Sequence, residues 1–168
     1  MKKPESIIIT GTVTTTIGFM LIAAGAILFF SVFKQVLMMD PIHLLEIYAS
    51  FPVLKPLFEN IPSISLFIST IGFIQAVSGI FFLNGNNAAR KLLNYISWFE
   101  YIAIIVVTTL TLKTTRTIIS ANTEELAAMF SGFYLGYLIF LTLLVCSGLI
   151  MIIHFLNKAD VIDFCKRI

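Results

Sequence analysis

The sequence predicts an all-α integral membrane bundle of four transmembrane helices in a single domain. Of its 168 residues, 58% are hydrophobic and only 12% are charged. A soluble domain of this length could not bury so much apolar surface. The apolar residues form long runs, and about 20 apolar residues suffice to cross a hydrocarbon core of ~30 Å. We place the helices at about 7–36, 63–83, 88–118 and 123–157, with an outer loop at 37–62 and a cytoplasmic tail at 158–168.

The first apolar run begins after two lysines, as a signal peptide does, but it continues far beyond the ~7–15 apolar residues of a signal sequence. We therefore interpret it as a retained transmembrane helix. Small residues on one face of a membrane helix let a neighbouring helix approach closely. Such a face can serve the chain's own bundle or another subunit, and we favour its own bundle. The glycines that predict close packing are Gly11, Gly18, Gly25, Gly72, Gly79, Gly132 and Gly136.

The outer loop is too apolar to extend freely into water. Asp40 and Pro41 are typical of a helix start, so we expect a short helix up to about Ser50, before the helix-breaking prolines that follow. This segment either lies on the membrane surface as an interfacial helix or binds a partner protein. The residues of the possible docking loop are Leu44, Leu45, Tyr48, Phe51, Leu57 and Phe58.

Basic residues predict the orientation of the bundle, because they favour the cytoplasmic side. One side holds Lys2, Lys3, Arg90, Lys91, Lys158, Lys166 and Arg167, and the other holds Lys34, Lys55, Lys113 and Arg116. Both termini then lie in the cytoplasm. We also expect Asn86 or Asn87 to cap the third helix, and the tail to form a short interfacial helix.

Glu100 is the only carboxylate inside an apolar segment. Gln75 and Glu100 are equally distant from the middle of the hairpin between the second and third helices, so we expect them at the same depth, ~12 Å into the apolar layer. Counting along the other helices adds further polar groups at this level, and the predicted cluster contains Glu100, Gln75, Thr15, Thr16, Cys146 and Ser147.

An ionised carboxylate in hydrocarbon costs several kcal/mol, so Glu100 must be neutral, paired or beside water. One interpretation is structural: a protonated Glu100 donates a hydrogen bond to Gln75 or to a threonine and fixes helix packing. The other is functional: Glu100 is a proton or cation site, or it pairs with a basic residue of another subunit.

No pattern in the sequence predicts catalysis, a cofactor or a metal. His43 and His154 are expected on opposite sides of the membrane, and Cys146 and Cys165 are too differently placed to form a disulfide. Nucleophile, phosphate-binding and dithiol motifs are missing from the sequence. A net charge of +2 does not predict nucleic-acid binding. We therefore do not expect an enzyme.

Segment 79–92 reads GIFFLNGNNAARKL. It resembles the pattern G-x-x-L-L-x-G-x-x-W-A-R-x-L, which closes the second helix in many small bacterial four-helix membrane proteins of unassigned function. Ala88 stands where that pattern has tryptophan. The resemblance implies the same four-helix topology and a bacterial inner membrane, and it implies no activity.

The sequence favours a non-catalytic function, that of an accessory or assembly subunit which packs against a larger membrane complex or against copies of itself. The alternative is a small oligomeric channel, or a proton- or cation-coupled transporter that uses Glu100. A third class is a membrane effector or immunity-type protein. The expected partners are the lipid bilayer and either a larger membrane protein or further copies of the chain.

Overall fold

The computed structural model describes residues 3–50, 54–121 and 125–167, and every regular element in these ranges is a helix. In chain order they are α1 (Glu5–Ile27), which continues through a π-helical segment (Leu28–Phe33) into α2 (Lys34–Met38), then α3 (Pro41–Ser50), α4 (Leu54–Glu59), α5 (Ile61–Leu83), α6 (Asn87–Ala121), α7 (Glu125–Leu156) and α8 (Ala159–Arg167).

Four stretches of these helices are long and apolar enough to cross a membrane, as the sequence predicts: Glu5–Met38, Ile61–Leu83, Asn87–Lys113 and Tyr134–Leu156. The four-helix prediction is therefore confirmed. The placement of both termini in the cytoplasm stays a prediction, as does the contact of the outer loop with the membrane surface.

Helices α1 and α5 form a closely packed antiparallel pair. A Cβ atom added to Gly18 would lie 2.5 Å from the backbone nitrogen of Ala76 and 2.6 Å from the carbonyl oxygen of Gly72. Gly11 faces Leu83 at one end of this pair, and Gly25 faces Ser69 toward the other end. The small residues predicted in the first two spans therefore serve the chain's own bundle.

Helices α6 and α7 form the second pair, joined where α6 begins and α7 ends. The Arg90 guanidinium donates a hydrogen bond through Nη1 to the carbonyl oxygen of Leu156 (2.9 Å), and Asn157 Nδ2 donates to Asn94 Oδ1 (2.9 Å). Arg90 is only 7% exposed. The first helical turn of α6 is capped by Asn86, whose Oδ1 accepts from the Ala89 backbone N–H, as predicted.

The end of the bundle at which α1 begins, here the N-terminal end, holds the main apolar core. Helix α8 packs there against α6, and it buries its own apolar face. The buried residues of this core come from α1, α5, α6, α7 and α8: Ile7, Phe82, Ala89, Leu93, Leu149, Ile152, Leu156, Val161 and Cys165.

The predicted short helix of the outer loop is present as α3, and Asp40 Oδ1 accepts a hydrogen bond from the Ile42 backbone N–H (3.1 Å) at its start. Leu45 is 67% exposed, whereas Leu44 and Phe58 are half-buried. Phe51 and the side chains of Tyr48 and Leu57 lie outside the described residues.

Candidate functional site

Glu100 and Gln75 meet where α5 contacts α6. Gln75 is fully buried, and its Nε2 donates a hydrogen bond to Oε2 of Glu100 at 3.3 Å. The symmetry of the hairpin explains this contact, since the two residues are equally distant from its turn on antiparallel helices. The pairing that the sequence predicts is therefore present.

Each residue of this hydrogen bond also carries a side-chain oxygen that has no partner. Oε1 of Gln75 and Oε1 of Glu100 are both buried, and neither makes a hydrogen bond. Both atoms are acceptors when Glu100 is ionised. A proton on Oε1 of Glu100 would instead be a donor for Oε1 of Gln75 once the two side chains turn toward each other. Acid and amide would then close a ring of two hydrogen bonds. One proton thus satisfies both oxygens, and an ionised Glu100 leaves both open.

Glu100 also lies in the wall of an open cleft between the α1–α5 pair and the α6–α7 pair. The cleft has a volume of about 940 Å³ and all four helices line it. Along α1 its wall extends from Ile9 to Leu21, which corresponds to ~18 Å of helix. The polar residues of the wall are Thr10, Glu100 and Thr108, of which Thr108 is bonded to Thr142 (3.0 Å between their hydroxyl oxygens).

Aromatic rings lie in the same cleft as the carboxylate. Phe67 of α5 and Phe99 of α6 both line it, and their rings meet edge to face with centroids 6.1 Å apart. Phe155 of α7 lines the cleft as well. An apolar and aromatic cavity with a few polar groups is the usual form of a small-molecule site.

Among the residues that the structure describes, Glu100 is the only charged one in the wall of this cleft. Residues 6–33, 61–83 and 126–153 contain no Asp, Glu, Lys, Arg or His, so no other helix offers a basic group at its level. The other titratable groups of these segments are the Cys146 thiol and tyrosine phenols, and none of them lines the cleft. A positive charge for Glu100 must therefore come from outside the described bundle, or as a proton.

The other four residues of the predicted cluster lie in different environments. Thr15 is half-buried, packs against Gly79 and bonds to the Gly11 carbonyl (2.7 Å), and Cys146 is buried in α7 but does not line the cleft. Thr16 and Ser147 are exposed and bond only to carbonyls of their own helices. The structure does not bring these two to Glu100, because depth counting fixes the level of a residue and leaves its direction around the helix open.

Two glycines of α7, Gly136 and Gly148, have open space where a side chain would lie. A Cβ atom added to Gly136 or to Gly148 would meet nothing within 4 Å, and Gly148 lies in the wall of the cleft. Gly132, predicted to pack together with Gly136, lies outside the residues whose side chains are described. The predicted close contact at Gly136 is therefore absent within the described bundle.

Several residues of this site are not predicted from the sequence. Thr10 is buried in the cleft wall with its hydroxyl unpartnered, and Phe67, Phe99 and Gly148 form further parts of the wall. Nothing in the pattern separates these residues from ordinary membrane residues. Their role depends on the gap between the two helix pairs, which only the tertiary arrangement defines.

Comparison of this chain with models of protein families, with curated proteins and with solved structures finds no match. The described residues contain no group of three His, Cys, Asp or Glu side chains that could hold a metal ion.

Proposed function

We propose that this protein is a small, non-catalytic membrane carrier that binds a mainly apolar ligand with one polar group in the cleft and couples its binding to protonation of Glu100. The observation that carries this proposal is the position of Glu100, an acidic residue with an unpartnered oxygen, in the wall of a cleft of about 940 Å³. This volume lies within the range of small-molecule sites. Intramembrane carboxylates commonly mark ion or proton pathways.

Two protonation states of one carboxylate give the coupling a physical basis. Protonated Glu100 can close the ring with Gln75, which satisfies both side chains without a ligand. Ionised Glu100 needs a donor or a cation from the cleft, because an uncompensated charge in a low-dielectric environment is costly. Ligand and proton therefore compete for the same carboxylate.

A carrier needs the cleft to open alternately on the two sides, and carriers are often built from larger, repeated bundles. The open surface at Gly136 gives a second copy of the chain a place for close helix contact. We accordingly expect a homo-oligomer in a bacterial inner membrane, as the resemblance of segment 79–92 implies. Both termini should lie in the cytoplasm, as the distribution of basic residues predicts.

Proteoliposomes that contain a pH-sensitive dye test the coupling. An inward proton gradient, applied with an extract of native membranes as the ligand source, should drive ligand-dependent proton movement in the wild type and none in Glu100→Gln. Gly148→Leu fills the cleft and should also abolish it, whereas Leu143→Ala, an exposed position outside the cleft wall, is the control. Equal proton movement in the wild type and Glu100→Gln would contradict the proposal.

The second candidate is an accessory or assembly subunit of a larger membrane complex. It is supported by exposed apolar side chains in the outer loop, among them Met39, Ile42 and Leu45, and by the open surface at Gly136. Purification in mild detergent at native expression level, followed by mass spectrometry, distinguishes the two. A stoichiometric larger partner favours the subunit, and a defined homo-oligomer alone argues against it.

A further inference from the structure

We propose that the ligand of the cleft is an amphipathic amine, an apolar chain or ring system that carries one protonated nitrogen, and that its ammonium group pairs with Glu100 and displaces the Glu100 proton. This inference rests on the proposed function, since it names the chemical class that the cleft binds. Three features of the cleft support it: the unpartnered acceptor of Glu100, the aromatic rings in the same wall, and the apolar character of the remaining wall.

The carboxylate specifies the charge of the ligand. Oε1 of Glu100 is a buried acceptor without a donor, and Oε2 receives only the 3.3 Å bond from Gln75. An ammonium group supplies both a counter-charge and N–H donors, and charge-assisted hydrogen bonds are about twice as strong as neutral ones. A neutral ligand, such as an alcohol or a fatty acyl chain, would leave the protonated Glu100 paired with Gln75 and would gain nothing from the carboxylate.

The aromatic rings favour the same class of ligand. Phe67 and Phe99 line the cleft, and Phe99 precedes Glu100 in the chain. The faces of phenyl rings attract cations through their quadrupole, most strongly where water is excluded. A carboxylate together with phenyl rings in a cavity of low polarity therefore favours an ammonium over a neutral polar group.

The rest of the wall specifies an apolar body. Apart from Thr10, Glu100 and Thr108, the lining consists of aliphatic and aromatic residues and Gly148, spread over ~18 Å along α1. This shape accommodates a chain or a small ring system that lies parallel to the helices. The described part of the lining holds no second charged residue, which predicts a single charge on the ligand.

The exchange balances without a further reactant. A protonated Glu100 and a free ammonium ion combine to give a carboxylate–ammonium pair, and the proton of the carboxyl group leaves to the bulk solution. The only covalent bond that breaks is the O–H bond of the Glu100 carboxyl group. Binding of one amine should therefore release one proton.

Two photoreactive probes test this inference in lipid nanodiscs: a long-chain alkyl amine with a diazirine in its chain, and the alcohol of the same chain. Mapping of the crosslinks by mass spectrometry separates binding in the cleft, at residues such as Ile104 and Leu149, from labelling of lipid-facing residues such as Phe140. We expect saturable cleft labelling by the amine at roughly tenfold lower concentration than by the alcohol, or lower still.

Glu100→Gln should remove this preference and the release of protons, while it leaves cleft labelling by the alcohol unchanged. Glu100→Asp keeps the charge and should retain part of the preference. Gly148→Leu should reduce labelling of the cleft by both probes, and Leu143→Ala by neither, because Leu143 is exposed and lies outside the cleft wall. Size-exclusion profiles and helical circular dichroism identify variants that fail to fold.

The outcomes separate the two proposals. If amine and alcohol label the cleft equally, or if the preference survives Glu100→Gln, the inference is wrong and an apolar ligand site remains. If neither probe labels the cleft in a saturable manner, the cleft is not a ligand site, and the proposed function is wrong as well.

Discussion

Arg90 and Leu156 link the second helix pair through one hydrogen bond, from guanidinium Nη1 to a backbone carbonyl at 2.9 Å. Leu156 is the last residue of α7, where carbonyl groups lack partners within the helix. The guanidinium also donates through Nε to Oδ1 of Asn87 (3.0 Å) at the start of α6. Arg90 is one of the basic residues from which the sequence predicts the orientation of the bundle. In the structure it is also a buried C-terminal cap of α7, and its charge complements the negative end of the dipole of that helix.

Replacement of Arg90 by Met should therefore destabilise the bundle. The Leu156 carbonyl would lose a charged donor, and hydrogen bonds of this kind contribute roughly 1.5–3 kcal/mol. Unfolding with increasing mole fraction of a denaturing detergent measures the free energy. Lys91→Met is the control, because Lys91 is exposed, and it should change the free energy of unfolding little. Equal effects of the two substitutions would contradict the role of Arg90.

The Cys165 thiol should react only at elevated pH. Cys165 is 4% exposed on the buried face of α8; burial raises the pKa of its thiol, and the positive charge of Arg90 partly opposes this. Since a raised pKa lowers the thiolate fraction at a given pH, the alkylation rate in a Cys146→Ala background should rise at higher pH than for a free cysteine. Mass spectrometry after iodoacetamide treatment measures this rate.

The same chain in denaturing detergent is the control, and it should show the ordinary pH profile. Because the folded state favours the neutral thiol, its contribution to the docking of α8 is complete below the ordinary pKa of a thiol and is lost as pH rises through the folded pKa. Identical profiles for folded and denatured protein would show that Cys165 is not buried in solution.

The sequence predicts the helices of this protein better than their arrangement. Long apolar runs define the four spans, and the symmetry of the hairpin about its midpoint brings Gln75 to Glu100. Both features are predictable because they depend on local geometry and on the number of residues along the chain. The cleft depends on how two helix pairs diverge, which the sequence does not encode in any periodic pattern. For the same reason the depth of Thr16 suggested a contact with Glu100, although its side chain faces outward.

Substitutions at Gln75 and Glu100 should have unequal effects on stability. Gln75→Leu removes the only described hydrogen-bond donor to Glu100, so we expect a cost of about 1–2 kcal/mol in the free energy of unfolding. Glu100→Gln retains an acceptor for Gln75 Nε2 and should cost less than about 0.5 kcal/mol, because it removes no partner from Gln75. Detergent-induced unfolding of both variants gives these values.

Thr70→Val is the matched control for Gln75→Leu, since Thr70 is exposed and bonds only to the Leu66 carbonyl of its own helix. It should leave the free energy of unfolding nearly unchanged. A larger loss in Glu100→Gln than in Gln75→Leu would show that the carboxylate has a structural partner other than Gln75.

Gly18→Ala should destabilise the packing of α1 against α5. The added Cβ atom would lie 2.5 Å from the Ala76 backbone nitrogen and 2.6 Å from the Gly72 carbonyl oxygen, and neither backbone atom can move independently of its helix. Overpacking of this kind costs roughly 1–3 kcal/mol, which detergent-induced unfolding detects. Gly148→Ala is the matched control: its Cβ would meet nothing within 4 Å, and alanine in place of a helical glycine should stabilise α7 slightly. Because the two variants add the same methyl group to membrane helices, a similar loss in both would mean that the described contact between α1 and α5 is not the source of the effect.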